Sequence, residues 1–254
     1  MTRRDGGGIA VVLGTYNRFA LLRQMIQSVR DRSGTAQDFI VVDGGSTDGS
    51  REWLAVQPDI ILIGQRGALT GAVRAFNLGF GYAVDHEYDW LVHLNDDVEL
   101  MTPDAFATAR QVLQQDATIG EVAFEFDLRG PYGFEPLNGG KIYANYGMIR
   151  RSAGMAAARR QGDPSGRQFW NPIYYTYGAD TEFGCQLLRL GWKIYPGVGL
   201  RVHDLFTQDA LRVGNNRDYA DSTLFWDRWR NAVLEPDGCG PDEVPVKTKT
   251  KGLV

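Results

Sequence analysis

The sequence predicts an α/β fold in which helices flank a mostly parallel central sheet. Three observations predict this class. Short apolar runs rich in β-branched residues alternate with segments of helical apolar spacing, and polar residues follow several of the runs. The alternation recurs roughly every 30 residues in the first half. It is typical of βαβ units, whose consecutive strands run parallel.

Five apolar runs are the predicted strands of the first half. They are short and dominated by Val, Ile, Leu and Phe, which is typical of strands buried on both faces. They are GIAVVLG at 8–14, DFIVVDGG at 38–45, IILIGQ at 60–65, DWLVHLND at 89–96 and EVAFEF at 121–126.

Helical spacing of apolar residues follows most of these strands. The first such segment has Asn17 as a plausible N-cap, and Pro103 stands in the first turn of another. The predicted helices lie near residues 21–29, 46–56, 69–84, 103–114, 180–190 and 221–234. Residues 129–175 are rich in Gly, Pro, Asn and aromatics, and we expect them to be mostly loops. An extended segment is expected at 192–203, and a polar, mobile tail at 236–254.

Composition restricts the classes of protein. A formal net charge of −4 gives no reason to expect a nucleic-acid-coating surface. Two distant cysteines, Cys185 and Cys239, make a disulfide framework improbable and predict a reducing, cytoplasmic setting. The sequence contains no apolar run of membrane-spanning length, and we expect no signal peptide because the first residues lack an apolar stretch.

Polar residues stand together at three predicted strand ends: GTYNR at 14–18, DGGSTDG at 43–49 and NDD at 95–97. Ligands of such sheets bind at the carboxyl ends of strands. Two adjacent carboxylates there favour an Mg²⁺ or Mn²⁺ ion that is shared with phosphate oxygens. A turn or helix-start acid pair is the alternative. The glycines at 6–8 precede the first strand, which argues against a dinucleotide-binding fingerprint.

Four segments together resemble the family 2 glycosyltransferases. They are VVLGTYNR at 11–18, IVVDGGSTDGS at 40–50, LVHLNDDVEL at 91–100 and YGADTEFGCQLLRLGWKIYPGVGLRVH at 177–203. The sequence departs from the family pattern at Gly14, Gly44, Ala179 and Gln186. The resemblance implies a single GT-A domain over 1–235, with a Rossmann-like sheet, a donor-binding half at 8–128 and an acceptor-binding half at 129–235.

The resemblance also implies roles for individual residues. Asp180 would be the general base, with Glu182 as its rival or an acceptor contact. Asp97 and His203 would hold Mn²⁺ or Mg²⁺. The nucleotide sugar would contact Thr15, Tyr16, Asn17, Asp43, Arg74 and Asp96. Structural alternatives remain: Asp43 as a turn former, Arg74 as a solvated helix residue, Asp180 as a helix cap and His203 as a structural histidine.

The implied activity is inverting transfer of a hexosyl or deoxyhexosyl group from a UDP- or dTDP-sugar to an acceptor hydroxyl. Residues 129–175 would shape the acceptor pocket, and the identity of the acceptor stays open. Two other classes remain. A sugar-phosphate nucleotidyltransferase would carry a basic, glycine-rich loop after the first strand, unlike GTYNRFALL. An inactive nucleotide-sugar-binding module is hinted at by Ala179.

Overall fold

A computed structural model describes residues 8–65, 70–127, 129–205, 207, 209–216 and 220–237. The strands are β1 (Ile9–Thr15), β2 (Asp38–Asp43), β3 (Ile60–Gly64), β4 (Trp90–His93), β5 (Val98–Leu100), β6 (Ile119–Asp127), β7 (Glu135–Pro136), β8 (Ile142–Tyr143), β9 (Gly147–Arg150) and β10 (Lys193–Asp204). The helices are α1 (Phe19–Arg32), α2 (Ser50–Leu54), α3 (Ala72–Asp85), α4 (Ala105–Gln115), α5 (Arg151–Arg160), α6 (Ala179–Arg189), α7 (Ala210–Asn216) and α8 (Ala220–Trp229).

Eight strands form the central sheet in the order β3-β2-β1-β4-β9-β6-β10-β5, and β7 pairs with β8 in a separate ribbon. Strands β1 to β4 of this sheet pair in parallel, as do β6 and β10. Strand β9 is antiparallel to both β4 and β6, and β5 is antiparallel to β10. The carboxyl ends of β1, β4 and β10 therefore lie at the same edge of the sheet.

Helices cover both faces of the sheet. One apolar core lies between the sheet and α1, α2 and α4, through side chains such as Met25 and Phe106. The other lies between the sheet and α3, α5, α6 and α8, through side chains such as Phe80 and Phe183. Strands β1, β2, β4 and β6 are buried on both faces, which explains why their sequences read as continuous apolar runs.

The five predicted strands and the α/β class are confirmed, whereas the region 129–175 is more ordered than predicted. Residues 147–160 form β9 and α5. Helix α5 buries alanines and packs so closely that a Cβ on Gly154 would lie 2.1 Å from the Phe169 ring. Alanine and glycine gave no amphipathic signal, so the spacing of large apolar residues did not reveal this helix.

Other boundaries also differ from the sequence prediction. Helix α2 is restricted to Ser50–Leu54 because residues 44–49 form a turn. Helix α3 begins at Ala72, and its predicted start at Leu69 lies outside the described residues. Most of the predicted tail, 238–254, also lies outside them. Within the described chain, we find no helix with the length and apolar character needed to cross a bilayer.

Candidate active site

A cavity of about 390 Å³ opens at the carboxyl ends of β1, β4 and β10. This is the edge at which open α/β sheets bind their ligands. Helices α3, α6 and α7 and the loop before α6 complete its walls. The lining side chains with polar or charged groups include Thr15, Tyr16, Arg18, Asn95, Asp96, Asp97, Asn145, Tyr146, Tyr175, Thr176, Tyr177, Asp180, Asp204 and Arg212.

The adjacent carboxylates of Asp96 and Asp97 are bridged by Arg18, which follows β1. Its Nη1 donates to Asp96 Oδ1 at 2.8 Å and to Asp97 Oδ2 at 3.1 Å. The Thr15 hydroxyl donates to the other Asp96 oxygen, Oδ2, at 2.8 Å. Asp96 and Asp97 are only 4% and 1% exposed. A buried guanidinium therefore offsets the repulsion between these two acids.

Helix α7 brings a further ion-pair network over this cluster. Asp209, just before α7, accepts from Arg18 Nε at 2.6 Å and from Arg18 Nη2 at 2.9 Å. Arg212 Nη2 lies 3.1 Å from Asp97 Oδ2 and 3.7 Å from Asp204 Oδ1. Sequence reasoning missed the approach of α7 to the end of β4, because Arg18 and Asp209, like Arg212 and Asp97, lie more than 100 positions apart.

Burial and charge oppose each other in this network. Burial raises the pKa of Asp96 to about 6, although the charge of Arg18 acts in the opposite direction. Burial also raises the pKa of Asp97, against the charges of Arg18 and Arg212. For Arg18 itself, burial would lower the pKa, but the carboxylates of Asp209, Asp96 and Asp97 raise it above its usual range. The two acids are thus incompletely compensated by Arg18.

The donor atoms of this cluster fit a divalent cation. Asp97 Oδ1 is buried and has no hydrogen-bond partner among the described residues. Asp204, at the end of β10, lines the same cavity and accepts from the Tyr146 hydroxyl at 2.9 Å. Four carboxylates face two guanidiniums, namely those of Asp96, Asp97, Asp204 and Asp209 against Arg18 and Arg212. Carboxylate oxygens suit Mg²⁺ and Mn²⁺.

The cluster does not by itself form a complete metal cage. The described part of the chain contains no group of three or more His, Cys, Asp or Glu residues arranged to hold an ion. Mg²⁺ usually takes one or two carboxylates and fills its remaining positions with phosphate oxygens and water. The arrangement therefore fits a cation that is shared with a phosphate-bearing ligand.

Asp180 lies in the first turn of α6, and its backbone position is tightly determined. Gly178 precedes the helix with φ +80°, a conformation that favours glycine. The loop before it is held by Asp221 of α8, whose carboxylate accepts from the backbone N–H groups of residues 175, 176 and 177 at 2.6–3.0 Å. Asp180 Oδ1 accepts from the N–H of Thr181 at 2.8 Å.

Asp180 also lines a second cavity, of about 460 Å³, which is walled by residues 135–145, α6 and α8. The residue is partly exposed, and it shares its position in both linings with Asn145 and Tyr177. Burial raises the pKa of Asp180, and hydrogen bonding to Thr181 and the nearby His93 oppose the rise. A carboxylate with a raised pKa between two cavities is suited to accept a proton from a ligand.

Glu182, the rival base, faces away from both cavities and is fully buried. Although burial opposes it, hydrogen bonding from Arg228 and its neighbours lowers the pKa of Glu182. A carboxylate saturated in this way is a poor proton acceptor. Its five hydrogen bonds, at 2.6–3.1 Å, come from Asn171 Nδ2, Tyr174 Oη, Arg228 Nε, Arg228 Nη2 and Trp229 Nε1.

Of the predicted nucleotide contacts, Thr15, Tyr16 and Asp96 line the first cavity. Asn17 instead joins two loops: its N–H donates to Ser46 Oγ at 2.9 Å, and its Oδ1 accepts from the N–H of Thr47 at 2.8 Å. Asn17 is not the N-cap of α1, since that helix begins at Phe19, whose N–H donates to Asp48 at 2.9 Å.

Asp43 and Arg74 do not line the described cavity. Asp43 is fully buried, and its carboxylate accepts from the backbone N–H groups of Gly45 and Ser46 at 3.0–3.2 Å. These contacts support the turn-forming alternative, which the Asp-Gly-Gly sequence already allowed. Arg74 lies on the exposed side of α3, as the solvated alternative expects.

His203 lies on the opposite side of β10 from the cavity. Its Nδ1 is 2.7 Å from Asp127 Oδ1 on β6, and it is not among the cavity-lining residues. The next residue, Asp204, is the one that faces Asp97. Neighbouring side chains on a strand point to opposite faces. Asp204, rather than the predicted His203, thus lines the cavity together with Asp97.

A protein-family model matches the part of the chain that contains Thr15, Asp96 and Asp97. The model of glycosyl transferase family 2 matches residues 10–162, which is more than half of the chain. The chain belongs to this family. A search of curated proteins finds no match.

Solved structures show the same fold. A mannosyltransferase from Pyrobaculum calidifontis, PcManGT, in complex with GDP-Man and Mn²⁺, has a TM-score of 0.65 at 16% identity, over 90% of this chain and 65% of that one. S. aureus TarS 1-349 in complex with UDP-GlcNAc has a TM-score of 0.63 at 14% identity, over 90% and 68%. The chain spans 40% of a longer TarS structure. These likenesses establish a GT-A fold.

Proposed function

We propose that the chain is an inverting, metal-dependent glycosyltransferase that moves a sugar from a UDP- or dTDP-sugar to an acceptor hydroxyl. The observation that carries this proposal is the position of Asp180, which lines both cavities. The first cavity would hold the donor, and the second would hold the acceptor. The solved structures with bound GDP-Man and UDP-GlcNAc support a nucleotide-sugar donor in the first cavity.

The reaction is a single displacement at the anomeric carbon. Asp180 takes the proton of the acceptor hydroxyl as that oxygen forms a bond to the anomeric carbon. The bond from this carbon to the diphosphate oxygen breaks, and its electron pair leaves with the diphosphate. Arg18 and Arg212 supply positive charge beside the leaving group. Asp180 lines both cavities and would be the general base. Asp96 and Asp97 are held in ion pairs with Arg18. This arrangement supports a mechanism with one base and without a nucleophile from the protein.

Asp97 and Asp204 would hold the divalent cation, whose remaining ligands would be phosphate oxygens and water. A cation there would neutralise the diphosphate as negative charge develops on it. PcManGT binds Mn²⁺ together with GDP-Man, which supports the same use of a metal in this chain. The donor-binding half at 8–128 would receive Arg212 from the acceptor-binding half at 129–235.

The test of this function is a panel of UDP-, dTDP-, GDP- and CDP-sugars, scored for nucleotide release with Mn²⁺, with Mg²⁺ and with EDTA. We expect release from a UDP- or dTDP-sugar that depends on the metal. Pyrophosphate release from a nucleoside triphosphate and a sugar phosphate would instead identify a nucleotidyltransferase. Full turnover in EDTA would refute the metal assignment.

Asp97→Asn is expected to remove the dependence of UDP binding on Mn²⁺. The amide keeps the shape of the side chain but loses the charge that attracts the cation, so affinity in Mn²⁺ should fall roughly 10–100-fold. The affinity for UDP in EDTA should be retained. The substitution weakens the ion pair between Arg212 and Asp97, so Arg212 could interact with the diphosphate instead. Calorimetry with and without Mn²⁺ measures both values.

A matched control for this variant is Asp116→Asn, which removes a surface carboxylate that is paired with Lys193 far from either cavity. It should bind UDP and Mn²⁺ as the wild type does. If Asp97→Asn also keeps its full gain in UDP affinity on addition of Mn²⁺, the cation is held elsewhere.

Asp43→Asn separates a residue that reads the base from one that forms a turn. Because both oxygens of Asp43 already accept backbone N–H groups, we expect the substitution to lower the affinities for UDP, dTDP and CDP by a similar factor. A residue that accepts the N3–H of uracil or thymine would instead lose its selectivity against CDP. Calorimetry of the three nucleotides distinguishes the two results.

A further inference from the structure

We propose that the second cavity selects an uncharged acceptor alcohol with an apolar ring, and that it disfavours phosphate-bearing acceptors. This inference rests on the proposed function, in which that cavity holds the acceptor. It adds the chemical class of the acceptor and the residues that determine it. The argument depends on an aromatic wall contributed by α8 and on the charge of the cavity.

The aromatic wall consists of Phe225, Trp226 and Trp229, which line the second cavity from α8. Trp226 is 52% exposed, an unusual amount for a tryptophan. Its ring packs edge-to-face on Phe225, with centroids 5.5 Å apart. Tyr143 lines the same cavity from β8. Flat aromatic surfaces offer large contact area to a ring at low entropic cost, which suits a ring-bearing ligand.

Two buried carboxylates hold α8 in place, so the wall is preorganised. At the start of the helix, Asp221 accepts the backbone N–H groups of residues 175–177. At its end, Glu182 accepts from Trp229 Nε1 at 2.7 Å and from Arg228 Nε at 3.0 Å. Glu182 is thus a positioning residue of the acceptor cavity rather than its base. A wall fixed in advance costs less entropy when it binds a ligand.

The charge of the cavity is acidic. Among the described residues that line it, the charged side chains are Glu135 and Asp180. Burial raises the pKa of Glu135, and the charge of Asp180 adds to the rise. A phosphate group in this cavity would meet two carboxylates and would lose its hydration without a compensating cation. The lining therefore favours a neutral acceptor over an anionic one.

Matched small molecules test the proposal directly. Phenyl β-glucoside and phenyl phosphate share the aromatic ring and differ in charge, and methyl β-glucoside keeps the sugar without that ring. Each is added to the full chain with UDP and Mn²⁺, and binding is followed by saturation-transfer NMR. We expect phenyl β-glucoside to bind best and phenyl phosphate to bind at least about tenfold more weakly.

Three variants connect this binding to the cavity. Trp226→Ala should lower the affinity for phenyl β-glucoside roughly tenfold because it removes the stacking surface, and Trp226→Phe should keep part of that affinity. Glu135→Gln should reduce the difference in affinity between phenyl β-glucoside and phenyl phosphate, because it removes one negative charge from the cavity. The controls are Tyr195→Ala and Glu52→Gln, which change an exposed aromatic and an exposed acid outside both cavities. Both controls should bind all three compounds as the wild type does.

The outcomes separate this inference from the proposed function. Absence of UDP binding and of nucleotide release would refute the proposed function itself. If UDP binds but phenyl phosphate binds as well as phenyl β-glucoside, or neither of them binds, the acceptor class is wrong. The same holds if Trp226→Ala changes no affinity. Similar affinities for phenyl and methyl β-glucoside would assign recognition to the sugar ring alone.

Discussion

Asp180→Asn is expected to lower turnover by about 10²–10⁴-fold, the usual loss when a general base is removed. Asparagine keeps the size of the side chain and can still accept the N–H of Thr181, so the start of α6 should be preserved. UDP affinity should change little, because the neighbours of Asp180 are Thr181 and His93 rather than members of the Arg18 cluster. Turnover and calorimetry with UDP measure the two effects separately.

The pH dependence of turnover gives an independent measure of the same assignment. A general base works only when it is ionised, so activity must fall as the pH drops through its pKa. Burial raises the pKa of Asp180 above that of a surface aspartate, which is about 3.9. The acidic limb of the wild-type profile should therefore lie at higher pH than for a surface aspartate, and it should be absent from the residual activity of Asp180→Asn.

Glu182→Gln is the matched control for the base. Its carboxylate is buried in a set of hydrogen bonds from Arg228, Trp229 and their neighbours, and hydrogen bonding holds its pKa below the usual range. This variant should keep the acidic limb and most of the turnover at saturating acceptor, while acceptor KM rises because α8 is held less firmly. If Glu182→Gln loses turnover and Asp180→Asn does not, the two roles are reversed.

The donor end of the site was readable from the sequence because its signals are local. Apolar runs located β1 and β4, and the polar residues that follow them placed Thr15, Tyr16, Asp96 and Asp97 at one edge of the sheet. In contrast, the partner of the two carboxylates could not be chosen in advance. Arg18 was visible in the motif, but its approach to β4 depends on how the loop after β1 turns.

Two further features of the site depend on which face of an element a side chain occupies. On β10, one position decides whether a side chain faces the cavity or the opposite face, and Asp204 rather than the predicted His203 lines the cavity. On α8, Trp229 is buried and Trp226 is 52% exposed, and both line the second cavity. Helix periodicity identifies an apolar face but does not tell whether a neighbouring element covers it.

The largest stability effect is expected from Arg18→Met. The guanidinium is only 8% exposed and contacts three carboxylates, those of Asp96, Asp97 and Asp209. Removing it leaves adjacent buried acids without their shared partner. Breaking a buried ion pair in this way costs roughly 3–5 kcal/mol of the free energy of unfolding. Denaturation in urea, followed by circular dichroism, measures the loss.

Arg30→Met is the matched control, because Arg30 makes a similar two-pronged contact with Asp59, at 2.6 Å and 2.9 Å. Both of these side chains are 25% exposed, so water replaces the lost contact. The expected loss is at most about 1 kcal/mol, as for other surface ion pairs. Equal losses in the two variants would show that the Arg18 cluster is hydrated and gains nothing from its burial.

The pH dependence of the Arg18→Met defect follows from the raised pKa values of Asp96 and Asp97. A carboxyl group whose pKa is higher in the folded state than in the unfolded state stabilises the fold below its unfolded pKa, about 3.9. That stability is lost as the pH rises through the folded value. Without Arg18, the pKa values of Asp96 and Asp97 in the folded state rise further. The loss in free energy of unfolding should therefore be largest at neutral pH and should become smaller at acidic pH. Asp97→Asn in the Arg18→Met background should recover part of the loss at neutral pH, because it removes the repulsion between two adjacent buried carboxylates.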